Sequence, residues 1–105
     1  MKIAAIDLGS NSIHMVVVEA SASGGFRVIG REKEMVRLGA STLARHHLSS
    51  AAMKRGLETL AKYKRLCETQ KVDKLIAVAT SAVREAGNGE DFLDRVGRTI
   101  GIWPK

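Results

Sequence analysis

The chain has 105 residues, enough for one domain or for part of one. Hydrophobic residues make up 45% and charged residues 27%, and no apolar run approaches the roughly 20 residues that span a bilayer, so a membrane-spanning helix is excluded. A single cysteine, Cys67, excludes an internal disulfide and a cysteine-cluster metal site, while 17 basic against 11 acidic residues leave a net charge of +6 that favours polyanionic partners.

The basic residues are dispersed, and aromatics are only 4% of the chain. No basic block or basic–aromatic interleaving marks a nucleic-acid stripe, so a solvated basic surface is the stronger reading and nucleic acid is not an expected partner. The start, Met1-Lys2-Ile3, lacks the apolar core and cleavage site of a signal peptide. The expected compartment is therefore the cytoplasm.

The first strand is expected over residues 2–8, ending in Asp7-Leu8, and the second over residues 12–20. Between them lies Gly9-Ser10-Asn11-Ser12. Gly9 admits backbone angles that other residues resist, and consecutive N–H groups in such a turn can form an anion-binding nest. Asp7 would repel a bare phosphate, so a cation between them makes chemical sense; magnesium, with its oxygen ligands, retained waters and phosphate partners, fits. The bland alternative is an ordinary hairpin turn.

In the second strand Ile13, Met15 and Val17 face one way and His14, Val16, Val18 and Ala20 the other. Both sets are largely apolar, which predicts a strand covered on both faces, as in an α/β sheet. His14 reads as a ligand or proton carrier, or as a satisfied residue beside a turn. Ser21-Ala22-Ser23-Gly24-Gly25 is a turn by composition. Residues 26–36 become highly charged along their length, which suits an edge strand and completes an antiparallel three-strand meander.

Residues 37–48 read as a loop, with His46-His47 exposed and no further ligands to complete a zinc set. Ser49 and Ser50 can cap a helix running to about Gln70, whose apolar stripe is Met53, Leu57, Leu60, Ala61 and Cys67. Leu75-Ile76-Ala77-Val78-Ala79 then forms a buried strand, and a long helix between strands implies a crossover, hence a fourth strand parallel to the first.

Thr80-Ser81 and Arg84 follow that strand's carboxyl end and form a second candidate anion site. Ligands of open α/β sheets bind at such ends. If the two strands are neighbours, Asp7 and Arg84 open onto one crevice. Asn88 can cap a last helix with Glu90 and Asp91 in its first turn, and Gly101 fits its end.

Asp7-Leu8-Gly9-Ser10-Asn11-Ser12 followed by an apolar strand, with Ala79-Thr80-Ser81-Ala82-Val83-Arg84-Glu85-Ala86-Gly87-Asn88 followed by Phe92-Leu93, resembles the exopolyphosphatase / guanosine pentaphosphate phosphohydrolase family. The likeness runs the length of the chain in register and includes Leu38-Gly39. The resemblance implies an actin-like, ribonuclease H-related α/β fold: a mixed sheet with a three-strand meander, a crossover helix, a parallel fourth strand and the start of a fifth. Residues 1–105 would be the amino-terminal part of its first subdomain.

By the same resemblance, Gly9, Ser10, Asn11 and Ser12 form the first phosphate loop and Asp7 holds magnesium. Arg84 binds a substrate phosphate, Thr80 and Ser81 line the site, and Asn88 is a helix cap. The family removes terminal phosphate from inorganic polyphosphate or the 5′ phosphate from guanosine pentaphosphate. Its general-base glutamate and second phosphate loop would lie beyond Lys105. The expectation is a phosphohydrolase fragment, inactive alone, whose partners are the remainder of the enzyme and, through exposed sheet surfaces, further copies of itself. The alternative is a stand-alone, non-catalytic polyphosphate-binding module.

Overall fold

The computed structural model describes residues 1–40 and 46–105, without the side chain of Ser81. Four strands form one sheet: β1 (Lys2–Leu8), β2 (Ile13–Ala20), β3 (Phe26–Glu34) and β4 (Lys74–Ala79), in the order β3-β2-β1-β4. β1 pairs antiparallel with β2, with Asp7 opposite His14 and Leu8 opposite Ile13. β2 pairs antiparallel with β3, with a bulge beside Val17 and Val18. β1 pairs parallel with β4, Asp7 beside Val78 and Leu8 beside Ala79. The meander and the parallel fourth strand are therefore as the sequence implies.

Three helices are present among the described residues: α1 (Ser50–Thr69), α2 (Ser81–Glu85) and α3 (Gly89–Ile100). Ser49 caps α1, its hydroxyl accepting the N–H of Ala52 at 3.1 Å, which satisfies an otherwise orphaned donor. Gly101 ends α3 in the left-handed region at φ 84°, where the missing Cβ removes the steric penalty.

Alternate residues of the strands, Ala4, Ile6, Leu8, Ile13, Met15, Val17, Ala77 and Ala79, are buried with Leu60 and Tyr63 of α1 and Phe92 and Val96 of α3. All the helical cover lies on that one face. The prediction of a sheet covered on both sides is thus corrected. The second face, with Ala5, Asp7 and His14, stays open, and Ile76 and Val78 are each 42% exposed there. The described elements supply one helical layer, so the apolar residues of the other face find no partner among them.

The buried stripe of α1 is also displaced from the predicted one. It runs Ala52, Gly56, Thr59, Leu60, Tyr63 and Cys67, with Met53 and Leu57 only half-buried. Gly56 is the cause: a Cβ there would stand 3.0 Å from Phe92 and 3.3 Å from Leu38. The bare backbone lets α3 approach closely.

At the carboxyl end, Ile102 is buried and Lys105 pairs with β4, donating to Ala77 at 2.9 Å and accepting from Ala79 at 2.9 Å. One residue bracketing two residues of its neighbour in this way is parallel pairing.

Candidate functional site

The turn after β1 is held by three backbone hydrogen bonds, one within it and two from the strap of residues 36–39. Gly9 donates to the Ser12 carbonyl at 3.1 Å. The carbonyl of Ser10 accepts from Gly39 at 2.9 Å, and that of Asn11 accepts from Arg37 at 2.8 Å. A peptide unit is planar and trans, so its C=O and N–H point opposite ways. The strap of residues 36–39 therefore turns the N–H groups of Asn11 and Ser12 away from itself. Neither they nor the N–H of Ser10 make a hydrogen bond among the described residues. Adjacent free donors on a turn make a concavity for an anion.

Gly9 serves this turn through space rather than through unusual angles. Its φ is outside the left-handed region, but a Cβ would sit 3.0 Å from the Ser12 carbonyl oxygen. That corrects the sequence-based reason for a glycine at this position.

The other candidate residues lie at the same end of the sheet. Asp7 is exposed on the open face, one residue before the end of β1 and paired with Val78. Thr80 follows β4 and returns to β1, its N–H donating to Leu8 at 3.2 Å and its hydroxyl facing the same carbonyl at 3.4 Å. Arg84 on α2 donates through Nε to the carbonyl of Ala79 at 2.9 Å. That contact leaves the other guanidinium nitrogens at the carboxyl edge of β4, whose neighbour in register ends at Asp7-Leu8. Ser81 begins α2, and its side chain is outside the described residues.

Two hydroxyls of the loop already have partners. Ser10 Oγ accepts the N–H of Ala82 at 3.2 Å, bridging the loop to the first turn of α2. Ser12 Oγ lies 2.7 Å from Nε2 of His14. His14 thus belongs to the loop's hydrogen bonding, beside Asp7 on the open face.

A concavity of about 550 Å³ on that face is lined by Ala5, Asp7, His14, Val16, Arg31 and Lys33 among others. No cluster of three or more His, Cys, Asp or Glu occurs among the described residues. An all-protein metal cage is thus not formed there, whereas magnesium bound through one carboxylate, water and substrate phosphate asks only for Asp7.

The short helix α2 and the strap were not foreseen from sequence. Nor was the part of Asn88, which stands at the start of α3 without a side-chain capping bond. Its amide instead brackets Leu48, accepting the N–H at 2.8 Å and donating to the carbonyl at 3.0 Å. The expectation of a side-chain cap is corrected: an amide can donate and accept at once, and the Leu48 peptide offers both partners.

The model of the Ppx/GppA phosphatase family matches residues 16–103. The chain belongs to that family. It is 31% identical over 102 residues to exopolyphosphatase 1 of Mycobacterium leprae, covering 97% of this chain and 30% of that protein. It superposes on the Ppx/GppA family member of Aquifex aeolicus with a TM-score of 0.93 and 31% identity, covering all of this chain and 35% of that one. An exopolyphosphatase structure from Cytophaga hutchinsonii gives a TM-score of 0.94 at 28% identity, with 100% and 33% covered. The chain thus spans about a third of the length of the Ppx/GppA proteins it matches. Its fold is the mixed α/β, actin-like class.

Proposed function

We infer that this chain supplies the first phosphate-binding half of a phosphohydrolase that removes terminal phosphate from inorganic polyphosphate or guanosine pentaphosphate. The observation that carries the reading is the junction of β1 and β2. The carboxylate of Asp7 adjoins a turn whose Asn11 and Ser12 amides are turned outward by the Ser10–Gly39 and Asn11–Arg37 hydrogen bonds. Family membership supports it.

In this reading Gly9 to Ser12 hold the terminal phosphate through backbone N–H groups, and Arg84 holds a phosphate beside β4. Thr80 fixes the spacing between the two strands, with Ser81 beside it. Asp7 would hold magnesium, which when bound supplies Lewis-acid polarisation of a phosphoryl oxygen. The chain's own residues bind and orient. A general base must reach the attacking water, and the reading assigns that task to a glutamate outside residues 1–105. It also puts the protein in the cytoplasm and assigns the open sheet face to contacts with the remainder of the enzyme or with a second copy.

Phosphate release from long-chain polyphosphate and from guanosine pentaphosphate, with magnesium, tests the reading on the enzyme that carries this segment. Asp7→Ala and Arg84→Ala should each lower kcat/KM at least about tenfold. Unchanged rates in both variants would remove the site. A 105-residue chain that binds polyphosphate and is encoded without a catalytic remainder would establish the binding-module alternative instead.

A further inference from the structure

Arg55 is exposed on α1 and makes no ion pair among the described residues. Its guanidinium is spent on main chain instead. Nε donates to the carbonyl of Val36 at 2.9 Å, and Nη2 reaches that of Arg37 at 3.5 Å. The helix comes this close because Gly56, the next residue, has no side chain: a Cβ there would stand 3.3 Å from Leu38 of the strap. Val36 is buried, and its carbonyl accepts no other hydrogen bond among the described residues. A buried carbonyl needs a partner, and a charged donor is a strong one.

The carbonyl of Val36 and the N–H of Arg37 belong to one peptide unit, planar and trans, so they point opposite ways. Arg55 holds one end of it. The other end donates to the carbonyl of Asn11 at 2.8 Å. That carbonyl shares its own peptide unit with the N–H of Ser12, a donor without a partner among the described residues. A single run of hydrogen bonds thus leads from the guanidinium, through two peptide units, to the Ser12 N–H. Every bond in it has the same sense, so each polarises the next. The run also crosses Arg37, whose φ of 56° is a conformation that persists only where the surroundings impose it.

We propose that Arg55 is a positioning residue, which aims the Ser12 N–H at a bound phosphoryl oxygen without touching that oxygen. The proposal rests on the phosphate reading of Gly9 to Ser12. It adds no contact to the anion, because the guanidinium stands behind the strap, on the side away from the free N–H groups. Without it the Val36–Arg37 peptide is free to turn towards water, and the Asn11 carbonyl loses its fixed donor.

Long-chain sodium polyphosphate with magnesium chloride, titrated into the 105-residue chain and followed by NMR and calorimetry, is the test. In wild type the amide protons of Ser12 and Arg37 and the Nε–H of Arg55 should move downfield together, because an acceptor at one end of the run strengthens the bonds behind it. Arg55→Met keeps the stem and removes the donor. Its Arg37 amide should exchange with solvent about fivefold faster or more, and polyphosphate should bind about fivefold more weakly. Arg55→Gln sets a neutral N–H donor at the same number of bonds from the backbone as Nε, and should restore affinity to within about twofold of wild type. Arg65→Met removes an equal charge from an exposed position further along α1, and should bind as wild type does. A Ser12 signal that moves while those of Arg37 and Arg55 stay still would overturn the proposal and leave the loop in place. So would wild-type affinity in Arg55→Met, an equal loss in Arg65→Met, or an Arg55→Gln that folds yet binds as weakly as the Met variant. Polyphosphate that leaves the Asn11 and Ser12 amides of wild type unmoved would overturn the loop reading, and this inference with it.

Discussion

The hydroxyl of Tyr63 donates to the carbonyl of Ile13 at 2.7 Å, across a separation of 50 residues. Both residues are fully buried, and Ile13 is the first residue of β2, directly after the turn of residues 9–12. Helix α1 thus grips the loop at its root. Tyr63→Phe leaves that buried carbonyl without its partner and should cost about 1–3 kcal/mol.

The same hydroxyl sets a pH dependence. Burial, with smaller contributions from the negative charges of Glu34 and Glu32, pushes the Tyr63 pKa from 10.0 up to about 12. A group whose folded pKa is raised stabilises the fold below its unfolded pKa and loses that effect as pH climbs through the folded one. The contribution should therefore be complete below pH 10 and fade by about pH 12, a decline on the order of 2 kcal/mol. Urea unfolding of wild type and Tyr63→Phe at steps across this window should give stabilities that converge as pH rises. A constant difference would show that the phenol does not titrate as its burial requires.

Asn88 holds both polar groups of the Leu48 peptide. Asn88→Ala should lower stability by about 1–2 kcal/mol. Asn88→Asp is the sharper probe. Aspartate caps helices as well as asparagine does, so a mere capping role would tolerate it. Here it loses the donor and sets a carboxylate against the Leu48 carbonyl. Thermal melts should show the Asp variant clearly below wild type at neutral pH.

Cys67 is buried with its sulfur 3.6 Å from that of Met15. Burial raises its thiol pKa, Glu68 adds to the rise, and Lys64 opposes it. The thiolate is the reactive form. Labelling by a disulfide reagent should therefore be slow in native buffer and should accelerate in urea in step with unfolding. Rapid stoichiometric labelling of the native chain would contradict the packing of α1.

These sites show where sequence reasoning reaches and where it stops. Strand β1 was legible to the residue, and β2 and β4 to within one, because short apolar runs bounded by turn residues have few other uses. The parallel placement of β4 followed from the crossover. The two candidate motifs fell at one end of the sheet for the same reason. The stripe of α1 was misjudged because Gly56, Thr59 and Tyr63 do not register as apolar, yet one admits Phe92 and another carries the bond to Ile13. The strap was missed because its work is done by main-chain atoms of Arg37 and Gly39, and a side-chain pattern cannot report which carbonyl a backbone N–H will find. Helix α2 was missed because Thr80-Ser81 and Arg84 read only as an anion site at the end of β4, and its first turn is tied across the fold by Ser10.

Two glycines in one helix should respond differently to the same change. A Cβ at Gly89 would run into the carbonyl oxygen of Val83, and one at Gly97 would run into the ring of Trp103. The first obstacle is backbone in α2, fixed by the helix and by the buried side chain of Val83. The second is a side chain that is 61% exposed and can be lifted off. Gly89→Ala should thus cost about 3 kcal/mol or prevent folding, as overpacking against immovable atoms does. Gly97→Ala loses the ring's contact but gains the helix preference of alanine over glycine, close to 0.5–1 kcal/mol, and should fall within about 1 kcal/mol of wild type. The chain has one tryptophan, so fluorescence reads the second case directly: emission in Gly97→Ala should shift to the red while the fold is kept. Equal destabilisation by both substitutions would mean that Trp103 is as fixed as the main chain, and that the segment after α3 belongs to the rigid core.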